Sequence, residues 1–228
     1  MLHLMLFDVD ATLALTGGAG GRAMASAFEE LFGTPDAFAG IPMAGRTDPA
    51  ILAEALARIG QPADAAVLER FRDAYCRRLR EEIVRPAAGK RVMPGVRALL
   101  DRLASSADVF LALLTGNFAE GARVKLEHFG LWSYFRCGAF GDDHHDRRAL
   151  VPIARARADA LGAGAVPPER VFVVGDTPLD VACALAAGVR AVGVATGGSD
   201  VSTLMASGAH VVFEDLSDTP AVLAALGI

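Results

Sequence analysis

The chain has few lysines. Of its 22 basic residues only Lys90 and Lys125 are lysine; the other 20 are arginine. Cysteine is also sparse: Cys76, Cys137 and Cys183 stand far apart, with no Cys-x-x-Cys pair. That spacing indicates neither a disulfide framework nor a structural zinc site. One tryptophan and two tyrosines help hold aromatic content to 7%, so small aliphatic side chains must fill the interior. Alanine supplies 44 of the 228 residues. No run of 18 uncharged apolar residues occurs, so no membrane-spanning helix is expected. The N-terminal stretch is apolar but lacks a basic start and carries Asp8 and Asp10, unlike a signal peptide. There is no basic tail, and the net charge is −5. Nucleic acid and anionic membranes are therefore not expected partners. Together these absences predict a soluble cytoplasmic protein.

The composition that remains is globular. Hydrophobic residues make up 53% and charged residues 21%, with a mean hydropathy of +0.36, which excludes a disordered chain. The length suits one large domain or one domain carrying an insertion. Short apolar runs at Leu4–Phe7, Val109–Leu114, Phe135–Phe140, Val171–Val174, Ala191–Ala195 and His210–Phe213 read as strands. Helical patterns alternate with them at Glu120–Phe129, Leu150–Leu161, Leu179–Ala187, Val201–Ala206 and Pro220–Leu226. This alternation predicts an α/β fold with a doubly wound parallel sheet and helices on both faces. Residues 16 to 87 break the rhythm with three helices and no strand: Arg22–Phe32, one capped by Asp48 through Ile59, and Asp64–Ile83. The expected division is a core of residues 1–15 and 88–228 with an all-helical insert at 16–87.

Three acidic or hydroxyl motifs fall at expected strand ends, where such sheets bind ligands. Asp8-Val9-Asp10-Ala11-Thr12 closes the first strand, and two carboxylates on one side of an extended chain need a cation or a shared proton. Thr115-Gly116-Asn117 follows another strand and offers side-chain and backbone donors to an anion. Gly175-Asp176-Thr177-Pro178-Leu179-Asp180 aims two carboxylates into one crevice, a set suited to a hard divalent cation. Each motif alone fits an ordinary turn or helix start. Their order and common placement make a site.

With these motifs the chain resembles the haloacid dehalogenase-like hydrolase superfamily, and within it the phosphoglycolate phosphatase-like branch. The resemblance covers nearly the whole length, and the insert resembles that branch's helical cap. It implies a Rossmann-like core and a Mg²⁺-dependent phosphatase acting on a small phosphorylated metabolite. It also implies the roles. Asp8 is the nucleophile and Asp10 the general acid and base. Mg²⁺ is held by the Asp8 side chain, the Asp10 backbone carbonyl and the Asp176 side chain, with Asp180 acting through water. Thr115, Gly116 and Asn117 contact the phosphoryl group. A β-phosphoglucomutase-like phosphomutase uses the same motifs and is the alternative. A catalytically weak binding or regulatory protein on this scaffold is a third reading.

Two departures from the family pattern matter. Ala11 stands where the family has glycine, a mild change if the residue avoids positive φ. The motif lysine expected about 25 residues before Asp176 is absent, and Arg147 and Arg148 are the basic residues available. Allowing a three-residue insertion near Gly162 aligns Arg148 with it, so Arg148 is assigned the catalytic position and Arg147 an accessory binding one. An arginine keeps the charge and adds a planar fork for phosphate oxygens. In the insert, Arg46 is placed to reach an anionic substrate. Gly18-Ala19-Gly20-Gly21-Arg22-Ala23 starts too late after the first strand for a dinucleotide turn and reads as the hinge into the insert. Asp142-Asp143-His144-His145-Asp146 reads as a solvated loop whose histidines point apart, not as a metal cluster. A monomer or homodimer is expected.

Overall fold

The computed structural model describes residues 2–228. In chain order it contains β1 (His3–Phe7), β2 (Ala14–Leu15), α1 (Ala19–Phe32), α2 (Asp48–Arg58), α3 (Ala65–Ile83) and β3 (Arg91–Val92). Then come α4 (Val96–Ala104), β4 (Val109–Leu114), α5 (Ala119–His128), β5 (Cys137–Ala139) and α6 (Leu150–Ala158). The chain ends with β6 (Val171–Gly175), α7 (Pro178–Ala186), β7 (Arg190–Val194), α8 (Val201–Ala206), β8 (Val211–Phe213) and α9 (Thr219–Leu226). Among the described residues no helix is long and apolar enough to cross a membrane.

Six strands form one parallel sheet in the order β5-β4-β1-β6-β7-β8. The expected α/β doubly wound architecture is present. Alternation along β1 sends Met5 and Phe7 to one face and Leu4 and Leu6 to the other. The first face packs on Leu99 and Leu103 of α4, Leu126 of α5 and Leu226 of α9. The second packs on Ala154 of α6, Val181 and Ala184 of α7, and Leu204 of α8. Both faces are covered, which is why the strands read as unbroken apolar runs. The alanines do what the scarce aromatics would otherwise do: Ala112, Ala154 and Ala184 are fully buried and let helices approach the sheet closely.

Helices α1 to α3 share a third cluster built on Phe28, Leu52, Leu56, Phe71 and Leu79. Phe118 and Val124, at and within α5, join it. The helical layer therefore rests on α5 instead of standing apart from the sheet. The chain enters and leaves this layer through β2 and β3, which pair antiparallel with Ala14 opposite Val92. Sequence patterning passes over a two-residue ribbon because so few residues carry no periodicity.

Several local expectations change. The cap of α2 is Thr47, whose hydroxyl accepts from Ala50 N at 3.3 Å; Asp48 is the first helical residue and turns its carboxylate inward. The helix expected through Leu161 ends at Ala158 and continues as one wider turn, where Gly162 takes φ 91°. The strand expected at Phe135–Phe140 shrinks to three residues because Trp132–Tyr134 forms a 3₁₀ turn before it. Ala11 adopts φ 59°, so it does not avoid the left-handed region.

The sheet order positions the site. β1 lies between β4 and β6, and the chain leaves these neighbours toward opposite sides. That reversal opens a crevice beyond the carboxyl ends of the three strands.

Candidate active site

Asp8 stands at the tip of β1, with its N–H donating to Val174 O at 2.9 Å and only 4% of the residue exposed. Thr115 follows β4 and is fully buried. Asp176 follows β6 and accepts from Thr12 Oγ1 at 3.1 Å. Asp180 lies one turn into α7, where Thr177 and Asp180 cap each other; the Thr177 N–H and Oγ1 donate to Asp180 Oδ2 at 3.0 and 2.6 Å. Two glycines make room for these acids. A Cβ on Gly175 would lie 2.1 Å from Asp180 Cγ, and one on Gly197 would lie 1.8 Å from Asp176 Oδ2.

Asp8, Asp176 and Asp180 each offer an oxygen within 4.8 Å of the others, and all three are buried. Burial pushes the Asp8 carboxyl up to about 6 and that of Asp176 up to about 8, with neighbouring acids adding to both shifts. Arg147 offsets part of this charge. Its Nη2 lies 3.0 Å from Asp8 Oδ1 and is paired with Asp180 as well. Burial pulls the guanidinium down, but Asp180 and Asp8 more than offset that and hold it above its ordinary value. One cation among three buried carboxylates leaves an excess of negative charge on oxygen-only donors. That arrangement fits Mg²⁺, a hard divalent cation.

The structure corrects the choice of arginine. Asp146 starts the 3₁₀ turn Arg147–Ala149 and captures Arg148, accepting from its backbone N–H at 3.0 Å and its Nη2 at 2.8 Å. The Arg148 side chain is 67% exposed and does not line the crevice. In a turn of three residues, adjacent side chains diverge by about 120°, so only one can face inward. That one is Arg147, which also donates from Nη1 to Gly45 O at 2.9 Å.

The remaining expected residues have mixed placements. Gly116 meets the helical layer: its carbonyl accepts from Asp48 N at 2.7 Å, and a Cβ would lie 2.1 Å from Arg46 O. Arg46 lines the cavity, but its guanidinium is engaged by Glu54 at 2.8 Å and by the Pro42 and Ala50 carbonyls. Asn117 donates from Nδ2 to Asp10 Oδ2 at 2.8 Å and to Thr115 Oγ1 at 2.7 Å. The Asp10 carboxylate therefore lies outside the acidic cluster. His144 and His145 are stacked at 4.6 Å rather than pointing apart, and Asp142 and Asp143 are engaged by Ala119 N and Arg157.

Two residues were not singled out as site residues in the sequence. Lys125 on α5 is 4% exposed and lies with Nζ 2.6 Å from Asp10 Oδ2. Asp48 is buried, accepts from Phe118 N at 2.8 Å, and is pushed by burial up to about 7. The available signal for Lys125 was its spacing: with Gly121 and Ala122 it falls on the inward face of α5. Lys125 and Asp48 border, together with Asp8, Asp10, Asn117, Arg147 and Asp176, one cavity of about 320 Å³ between the strand tips and the helical layer.

Comparison with known proteins bears on the fold and the family. Residues 5–194 match the family described as haloacid dehalogenase-like hydrolase. A phosphoglycolate phosphatase of Rhodospirillum rubrum is 36% identical over 132 residues, which are 58% of this chain and 53% of that protein. The matched region thus spans about half the length of that relative. A phosphoglycolate phosphatase of Cereibacter sphaeroides is 30% identical over 190 residues, 82% of either chain. Among solved structures, CbbY from Rhodobacter sphaeroides in complex with phosphate superposes with a TM-score of 0.67 at 21% identity, covering 100% of both chains.

Proposed function

The chain belongs to the haloacid dehalogenase-like hydrolase family, and from that premise we propose that it is a Mg²⁺-dependent phosphatase hydrolysing a small phosphate monoester through an aspartyl-phosphate on Asp8. One observation carries the reading: a buried carboxylate at a strand tip, 3.0 Å from a buried guanidinium, inside a three-carboxylate cluster.

The chain's own residues supply the steps. An Asp8 oxygen attacks phosphorus, and the bond from phosphorus to the ester oxygen breaks. Asp10 gives its proton to the departing alkoxide, releasing the alcohol. Asp10 then takes a proton from water, whose oxygen attacks phosphorus and breaks the bond to Asp8. Free phosphate leaves and Asp8 is restored. Arg147 and Thr115 hold the phosphoryl oxygens, so positioning and charge neutralisation carry most of the rate. Asp8 and Asp176, with the Asp10 backbone carbonyl, would hold Mg²⁺, and Asp180 would act through water. When bound, the ion supplies the positive charge that lets an anionic nucleophile meet an anionic phosphate.

A cavity of about 320 Å³ suits a small ester. The names of the Rhodospirillum and Cereibacter relatives put 2-phosphoglycolate first on a test panel. The purified protein is expected to hydrolyse p-nitrophenyl phosphate and one or more panel esters with Mg²⁺. Chelator and Asp8→Asn should each abolish turnover. Undiminished turnover by Asp8→Asn, or no hydrolysis of any monoester with Mg²⁺ present, would overturn the reading.

A further inference from the structure

The mechanism above gives no task to the buried lysine on the cavity wall. Lys125 Nζ donates to Asp10 Oδ2 at 2.6 Å and also to Asn117 Oδ1. The second bond has a geometric consequence. With its oxygen committed to the ammonium, the Asn117 amide must present its NH₂ to the other side. That NH₂ reaches Asp10 Oδ2 at 2.8 Å and Thr115 Oγ1 at 2.7 Å. One ammonium therefore sets the sense of the amide and, through it, two further side chains.

Asp10 needs such support. Its side chain is 46% exposed, whereas Asp8 and Thr115 are locked by burial. Both donors arrive at the same Asp10 oxygen, Oδ2, so Oδ1 is the oxygen turned free for the ester. A buried ammonium is costly unless well paired, yet one of the chain's two lysines occupies this place. Gly20 in the first turn of α1 lies against it, where a Cβ would be in ordinary contact at 3.4 Å from Nζ.

We propose that Lys125 is a positioning residue for proton transfer to the leaving group, holding the Asp10 carboxylate directly and through the Asn117 amide. The inference rests on the reading of Asp10 as the general acid. In the first half-reaction the proton on Asp10 passes to the ester oxygen as its bond to phosphorus breaks. A p-nitrophenolate departs with little help from an acid, whereas an alkoxide needs the proton.

The test compares p-nitrophenyl phosphate with 2-phosphoglycolate, or with the fastest alkyl monoester of the panel. Lys125→Met is expected to lower kcat/KM, which reports only the steps up to loss of the alcohol, about 30-fold on the alkyl ester and no more than about 3-fold on the aryl ester, part of the roughly 100- to 10,000-fold that acid–base assistance supplies. Lys125→Gln, which keeps a donor, should recover part of the alkyl rate. In an Asp10→Asn background, Lys125→Met should add nothing, because both changes remove one step. Equal losses on both esters, or full additivity with Asp10→Asn, would overturn the proposal while leaving the phosphatase reading intact. If the wild-type protein cleaves neither ester, the phosphatase reading falls and this inference with it. Should Lys125→Met fail to fold, Lys125→Gln carries the same comparison with a smaller alkyl-specific loss, and an equal loss on both esters there is equally decisive.

Discussion

Arg147 touches Asp8 and Asp180 at once, so its removal leaves two buried carboxylates without their cation. Arg147→Ala is expected to lower kcat by about 100-fold, the scale for losing one preorganised charge at a phosphoryl group. Arg148→Ala should stay within about 2-fold, because its partner is the exposed Asp146. Steady-state kinetics on the two variants check the ranking. Ala11 offers a prediction of the opposite sign. At φ 59° its Cβ crowds the following carbonyl, and Ala11→Gly should stabilise the fold by about 1 kcal/mol, read from urea denaturation. At this scale the sequence was legible for residues tied to strand ends: Asp8, Thr115 and Asp176 stand where alternation and motif order place them. The direction of Arg147 was not legible, because spacing narrows a choice to neighbours while a hydrogen bond from Arg148 to Asp146 decides between them. Lys125 was passed over for a related reason. It approaches the site along a helix face, far in sequence from the motif Asp176, where a lysine was sought.

Among elements, the decisive contact is that between the segment Gly45–Asp48 and the loop after β4. Asp48 donates its N–H to Gly116 O and accepts the Phe118 N–H on its carboxylate. Gly116→Ala would drive a Cβ into Arg46 O, so it is expected to raise KM several-fold by lifting the helical layer from the strand tips. The Asp48 carboxyl has its own pH signature. Its folded value is raised to about 7 from an ordinary 3.8, so the folded state holds the proton more tightly than the unfolded chain. The stability this contributes is full below about pH 4 and is lost as pH rises through 7. Asp48→Asn should therefore gain stability over the wild type between pH 5 and pH 8, on the order of a few kcal/mol at the upper end. Chemical denaturation at the two pH values measures it; a gap that stays constant or shrinks refutes the buried-acid account. Helix α2 itself was plain from its apolar spacing. Its cap was misplaced by one residue because Thr47 and Asp48 are both good capping residues, and only the tertiary partner Phe118 draws Asp48 inward.

For the whole molecule, the excess negative charge at the strand tips predicts a response to metal. Mg²⁺ at millimolar concentration is expected to raise Tm by a few degrees, as any ligand favouring the native state does, and Asp176→Asn should abolish the shift. Differential scanning fluorimetry with and without chelator decides this. The paired strands β2 and β3 bear on the molecule's history. Ala14 and Val92 face each other across a ladder, so the helical layer departs and returns at neighbouring points. The entropy of closing such a loop grows only with the logarithm of its length, about 0.6 kcal/mol per doubling. Lineages carrying this sheet can thus lengthen, shorten or exchange everything beyond the ribbon at little thermodynamic penalty. The catalytic floor can be inherited unchanged while the roof is rebuilt for another molecule.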